Sequence, residues 1–175
     1  MTFKKILIPI IAIITITLWS CERDDLCANT TSTTPNLIIR FYDINNPNNT
    51  KSVRQLSIYG EGNEGVTVLE RTNTDSIHLP LKFDTEGQLT SSRFILKKDT
   101  DFDDNEEDAN YSNSDTIEIT YTPEFVYVSR ACGYKSVFNG AQISFDSDGD
   151  NWIISNQVLN ETIENEKAAH IIIYH

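Results

Sequence analysis

From residue 36 onward, apolar and polar side chains exchange places with a period of two, the signature of half-buried strands. Leu37, Ile39 and Phe41 alternate with Ile38, Arg40 and Tyr42. Asn45-Asn46-Pro47-Asn48-Asn49 is a turn cluster, and residues 53–59 return with Leu56 and Ile58 inward. Residues 66–71 make a third strand. Ile77, Leu79, Leu81 and Phe83 share one face of a fourth, with His78 on the polar side. Pro80 lacks a backbone donor, which makes this an edge strand or the end of one. Residues 93–98 and 115–121 follow the same pattern. Pro123 marks a turn, and residues 125–130, apolar on both faces, are expected to form a central strand that ends at Ala131-Cys132-Gly133. Asn139-Gly140 between apolar-containing runs predicts a hairpin. Residues 152–159 and 170–175 complete the set. The pattern gives about nine or ten short strands with no helix among them, an all-β antiparallel β-sandwich, immunoglobulin-like or transthyretin-like. A closed barrel is the alternative. The strands are too short and irregular for a lipid-facing barrel.

The start of the chain has a different pattern. Lys4 and Lys5 precede a largely apolar run over residues 6–18, the layout of a secretory signal helix. At 13 residues the run is short of the roughly 20 that span a bilayer. Leu18-Trp19-Ser20-Cys21 resembles the lipobox of bacterial lipoproteins, with Trp19 where a small residue is usual. The resemblance implies cleavage before Cys21 and a diacylglycerol on its thiol. Cys21-Glu22-Arg23-Asp24-Asp25 is similar to the surface-export signal of Bacteroidota lipoproteins, with Arg23 in place of lysine. It implies that Arg23, Asp24 and Asp25 route the protein outward; the alternative is a plain acidic tether. The expected organisation is a signal peptide over 1–20, a lipidated cysteine and flexible tether over 21–35, and one β-sandwich domain over 36–175.

Charge narrows the partners. The whole chain carries −12 at pH 7, and loss of Lys4 and Lys5 with the signal takes the mature part to −14. That balance argues against nucleic acid and against electrostatic capture by anionic lipid. With Cys21 consumed by lipid, Cys27 and Cys132 remain as an even pair in an oxidising setting, and a disulfide between them is expected. Two separate thiols are the alternative.

Few constellations carry chemistry. Asp146, Asp148 and Asp150 have the spacing of the first half of a calcium loop, but Gln157 stands where the bidentate acid belongs. An Asx-rich turn is the simpler reading, with Ca²⁺ as the sharper one and no cofactor otherwise expected. Seven of the ten residues over 99–108 are acids, which reads as a solvated loop. Asp75-Ser76-Ile77 and Asp115-Thr116-Ile117 resemble the O-glycosylation sites of Bacteroidota periplasmic proteins, which would place sugars on Ser76 and Thr116. No nucleophile elbow, zinc-protease helix, phosphate loop or Cys-x-x-Cys is present. No catalytic residue is therefore assigned, and an unidentified hydrolase is kept only as an alternative.

The Cys-x-Arg-Asp-Asp-Leu-Cys start, Leu37-Ile38-Ile39-Arg40-Phe41-Tyr42-Asp43, Val126-Tyr127-Val128-Ser129-Arg130-Ala131-Cys132-Gly133 and Asp150-Asn151-Trp152-Ile153 belong to one larger pattern. Ile163-Glu164-Asn165-Glu166 and Ala168-Ala169-His170 continue it. Together they resemble a family of Bacteroidota lipoproteins that share a domain of unknown function. The resemblance implies an exported, lipidated β domain and transfers no activity. The expected role is a noncatalytic accessory or binding module of the envelope, anchored to the outer membrane through Cys21, with a protein or glycan partner. Tyr42, Tyr59, Tyr111 and Trp152 are candidates for a binding face. A structural partner in an envelope complex is the alternative.

Overall fold

Among the described residues the chain forms ten strands: β1 (Leu37–Asp43), β2 (Asn46–Thr50), β3 (Val53–Gly60), β4 (Thr67–Thr74), β5 (Ser76–Leu79), β6 (Thr90–Lys98), β7 (Asn113–Ser129), β8 (Gly133–Phe145), β9 (Ser155–Val158) and β10 (Ile171–Tyr174). The Asn-rich cluster expected as a turn is mostly strand: the chain turns at residues 44–45, and β2 pairs back on β1. The computed structural model describes residues 26–28, 31, 33–62, 67–100 and 112–175. The signal segment 1–20, Cys21, Arg23, Asp24, Asp25, Tyr111 and most of the acidic run lie outside these.

Two sheets share the strands. The first has the order β2-β1-β10-β9, with β5 also on β1. β1 pairs β10 in parallel from Ile39↔Ile171 to Tyr42↔Tyr174. The opposite edge of β1 is shared by β5, from Leu37↔Leu79 to Arg40↔Ser76, and by β2 at Tyr42↔Thr50. The second sheet is antiparallel in the order β4-β3-β6-β7-β8, with nine rungs between β6 and β7 from Thr90↔Tyr121 to Lys98↔Asn113. The all-β sandwich is therefore present, antiparallel except where β1 and β10 run together.

The sheets bury the faces that alternation selects. Leu37, Ile39, Phe41, Leu56, Ile58, Leu79, Leu96, Ile117, Ile119, Tyr121 and Phe138 are fully buried in one cluster. Burying each aliphatic side chain contributes about 1.5–3 kcal/mol. Tyr121 keeps its hydroxyl paired, with Ser92 Oγ at 2.6 Å and donating to Lys82 O at 2.6 Å.

Several expectations change. The strand ends at Leu79, directly before Pro80, as the missing donor leads one to expect, but Phe83 is 64% exposed where the alternation placed it inward. Lys82 N–H instead donates to Ser92 Oγ at 3.0 Å, so the chain has left the strand path. Pro123 does not end a strand: β7 runs through it for 17 residues. Its carbonyl accepts Gly87 N–H at 2.9 Å. The carbonyl and the missing N–H of one strand residue face the same edge, and that edge is covered by a turn, not by a strand. Residues 125–129 extend β7 past its pairing with β6, which reaches only Tyr121, so this stretch is not central, and Val126 and Tyr127 are exposed. Asn139-Gly140 is not a hairpin turn but lies inside β8, where Gly140 has φ 66°, as in a glycine bulge. The hairpin turns at residues 130–132, and Gly133 takes φ 70° there.

The chain forms two units. The larger, 32–126 with 135–175, holds the core. The smaller joins the described residues of 1–31 to Tyr127–Tyr134, the tip of the β7–β8 hairpin. Within it, Cys27 and Cys132 form a disulfide with a Cα–Cα distance of 4.9 Å.

Candidate functional sites

The smaller unit is built on the hairpin turn. β7 and β8 deliver Tyr127 and Tyr134 to either side of it, rings 5.4 Å apart and 69° between planes. Both are largely exposed, at 58% and 68%. Ser129 Oγ accepts Cys132 N–H at 3.0 Å and shapes the turn. The disulfide ties this turn to Cys27, beside an exposed Leu26. The aromatic pair escapes a reading that treats residues 125–130 as a central strand. Its signal is a tyrosine close on each side of the 130–132 turn.

The aspartates of the calcium-like loop have partners within the protein. Arg93 on β6 binds Asp146 Oδ2 and Glu61 Oε2, each at 2.6 Å, with Glu118 Oε2 at 3.4 Å. Glu61 and then Asp146 hold its guanidinium well above the usual arginine range. Asp148 Oδ1 accepts Asp150 N–H at 3.2 Å, and Asn113 Nδ2 donates to Asp150 Oδ2 at 3.2 Å. Asn151 Nδ2 closes the turn on Asp146 O at 2.8 Å. These are the bonds of an Asx-rich turn, with an arginine occupying the first would-be ligand. Among the described residues no three His, Cys, Asp or Glu side chains converge as a metal site. Of the acidic run, Asp99 is described, and Arg54 Nε binds its carboxylate at 2.6 Å.

The proposed sugar acceptors sit differently. Ser76 opens β5, where its carbonyl accepts the Thr74 hydroxyl at 2.7 Å. Thr116 lies mid-strand opposite Ile95, and its carbonyl accepts Asp146 N–H at 3.0 Å. Both residues are half-buried. The Asp before each is structural: Asp75 pairs with Arg40 at 2.8 Å, and buried Asp115 accepts Ile153 N–H at 2.8 Å. The Thr50 hydroxyl and then Arg40 hold Asp75 below the ordinary carboxylate range. Burial pushes Asp115 above it, against the pull of the Ile153 and Trp152 N–H groups.

Of the candidate binding aromatics, Trp152 is 5% exposed and belongs to the core, its Nε1 donating to Leu96 O at 3.3 Å. Tyr42 and Tyr59 are half-buried, and Tyr42 packs its ring 6.2 Å from that of Tyr174. The histidines differ in setting, although His78 and His170 both neighbour Ile38 and Glu166. His78 is exposed, 3.6 Å from Glu166. His170 is buried, its Nδ1 accepting Ile38 N–H at 3.0 Å and its Nε2 paired with Asn165 O at 3.0 Å. His175 stands edge-on to Phe41 and Trp152, with Nε2 3.1 Å from Lys51 O. Burial lowers the affinity of both His170 and His175 for a proton.

Neither the curated proteins nor the solved structures contain a match to this chain. Residues 55–175, more than two thirds of the chain, match the model of a family of unknown function (DUF6452), and the chain belongs to that family.

Proposed function

We propose that the chain is a lipoprotein of the cell envelope, held at the outer membrane by a lipid on Cys21, and that its β-sandwich is a noncatalytic accessory or binding module. The observation that carries this reading is the Cys27–Cys132 disulfide. Disulfides persist in oxidising compartments, so the bond supports export. It also uses two of the three cysteines and leaves Cys21, the one in the lipobox-like sequence, for the lipid. The resemblance to Bacteroidota lipoproteins, the short apolar leader and the Arg23-Asp24-Asp25 tether support the same reading. A second reading, a structural partner in an envelope complex, is favoured by β9. That strand ends its sheet, and Ile154 and Leu159 beside it are about half exposed.

Metabolic labelling with a radioactive fatty acid tests the anchor. The native chain is expected to take up label and fractionate with membranes, whereas Cys21→Ser loses the label and leaves the membrane. Label retained by Cys21→Ser, or absent from the native chain, sinks the reading. Protease shaving of intact cells then tests routing. Cleavage of the native protein but not of Asp24→Ala/Asp25→Ala supports surface display. Protection of both, with the lipid on each, places them on the periplasmic side.

A further inference from the structure

We infer that the tip of the β7–β8 hairpin is a bilayer-contacting element, with Tyr127 and Tyr134 seated at the phospholipid headgroup level of the membrane that holds the Cys21 lipid. This inference rests on the anchored reading above.

Three observations within the smaller unit carry it. First, the two tyrosines expose a paired aromatic surface on either side of a tight turn. Tyrosine has an apolar ring and a polar tip, the combination that accumulates where membrane meets water. Leu26, 85% exposed, adds an aliphatic side chain next to the disulfide. Second, the disulfide fixes the turn to Cys27, six residues from Cys21. Six extended residues span at most about 20 Å, so a lipid on Cys21 keeps the tip within that reach of the bilayer surface. The tether makes contact intramolecular, so a weak affinity of two rings for the interface suffices to hold them there. Third, the charge is suited to a phospholipid surface. The chain is strongly acidic, yet no Asp or Glu occurs from Tyr127 to Tyr134, and Arg130 lies exposed on the turn. Anionic headgroups repel the acidic parts and tolerate this one. The covalent reach to lipid selects a bilayer over a glycan or a protein as the occupant.

Hydroxyl-radical labelling read by mass spectrometry tests it on the full mature protein. The lipidated protein is reconstituted in vesicles of phosphatidylethanolamine with a minor share of phosphatidylglycerol. It is compared with the Cys21→Ser protein added to the same vesicles, and the intact mass reports the lipid. The expected result is a severalfold drop in labelling at Tyr127 and Tyr134 of the lipidated protein, with Tyr174 unchanged. Equal labelling in the two proteins, with the lipid present, overturns the inference and leaves the anchored reading standing. A native protein without the lipid overturns both. Protection of the two tyrosines in intact cells but not in vesicles also overturns it, because a protein or glycan then covers the tip.

Discussion

Two buried titratable side chains set opposing pH responses. Asp115 has a folded pKa raised by burial. Its stabilising share is present below the unfolded carboxylate value, about 3.9, and is lost as pH rises through the folded value. His170 is the reverse: its pKa is lowered by burial, so its share is present above about 6.5 and is lost as pH falls toward the folded value. The geometry explains the second case. Nδ1 accepts the Ile38 N–H, so a proton there would face another proton. Glu166 favours the charged form, but burial outweighs it. Urea unfolding across pH 4 to 7 separates the two, as approximate limits set by these reference values. Asp115→Asn keeps an acceptor for Ile153 and is expected to remove the loss on the rising side. Asp115→Ala strands the Ile153 N–H and is expected to cost about 1–3 kcal/mol. His170→Gln is expected to flatten the acid side. An Asp115→Ala protein as stable as the native one, or an unchanged acid limb in His170→Gln, contradicts these assignments.

At the scale of elements, the disulfide closes a loop of 105 residues, and its loss is expected to lower the unfolding free energy by about 2–5 kcal/mol. Chemical denaturation of Cys27→Ser/Cys132→Ser checks this, and an unchanged midpoint contradicts it. The strands themselves were legible where one face is buried. Leu37, Ile39 and Phe41 are inward because a half-buried strand admits only one register of alternation. Breakers were less legible, because their meaning depends on the neighbouring edge. Pro123 is harmless where a turn covers the edge of β7, and Gly140 is absorbed as a bulge in β8. Both signals were local, and the contacts that reinterpret them come from residues distant in sequence. The parallel pairing of β1 with β10 was illegible for the same reason: each strand's pattern states which face is buried and not which partner it takes.

At the scale of the whole molecule, the acidic charge, the cysteine count and the apolar run over residues 6–18 were readable from the sequence. Of the candidate sites, the Cys27–Cys132 pair followed from counting cysteines. The ion pair of Asp146 needed the structure, because its partner, Arg93, lies on another strand. The same is true of the Tyr127–Tyr134 pair, which exists only once the hairpin is folded. A family of unknown function supplies no chemistry to transfer, so the proposed anchor rests on cysteine use: two thiols form a bond, which leaves Cys21 for the proposed lipid. Mass spectrometry of an unreduced digest of the protein from membranes tests that division most directly. The expected first peptide begins at Cys21 and carries a diacylglycerol on its sulfur, together with a Cys27–Cys132 cross-linked pair. A first peptide beginning at Met1 with a free Cys21 thiol, or Cys21 bridged to either partner, would contradict it.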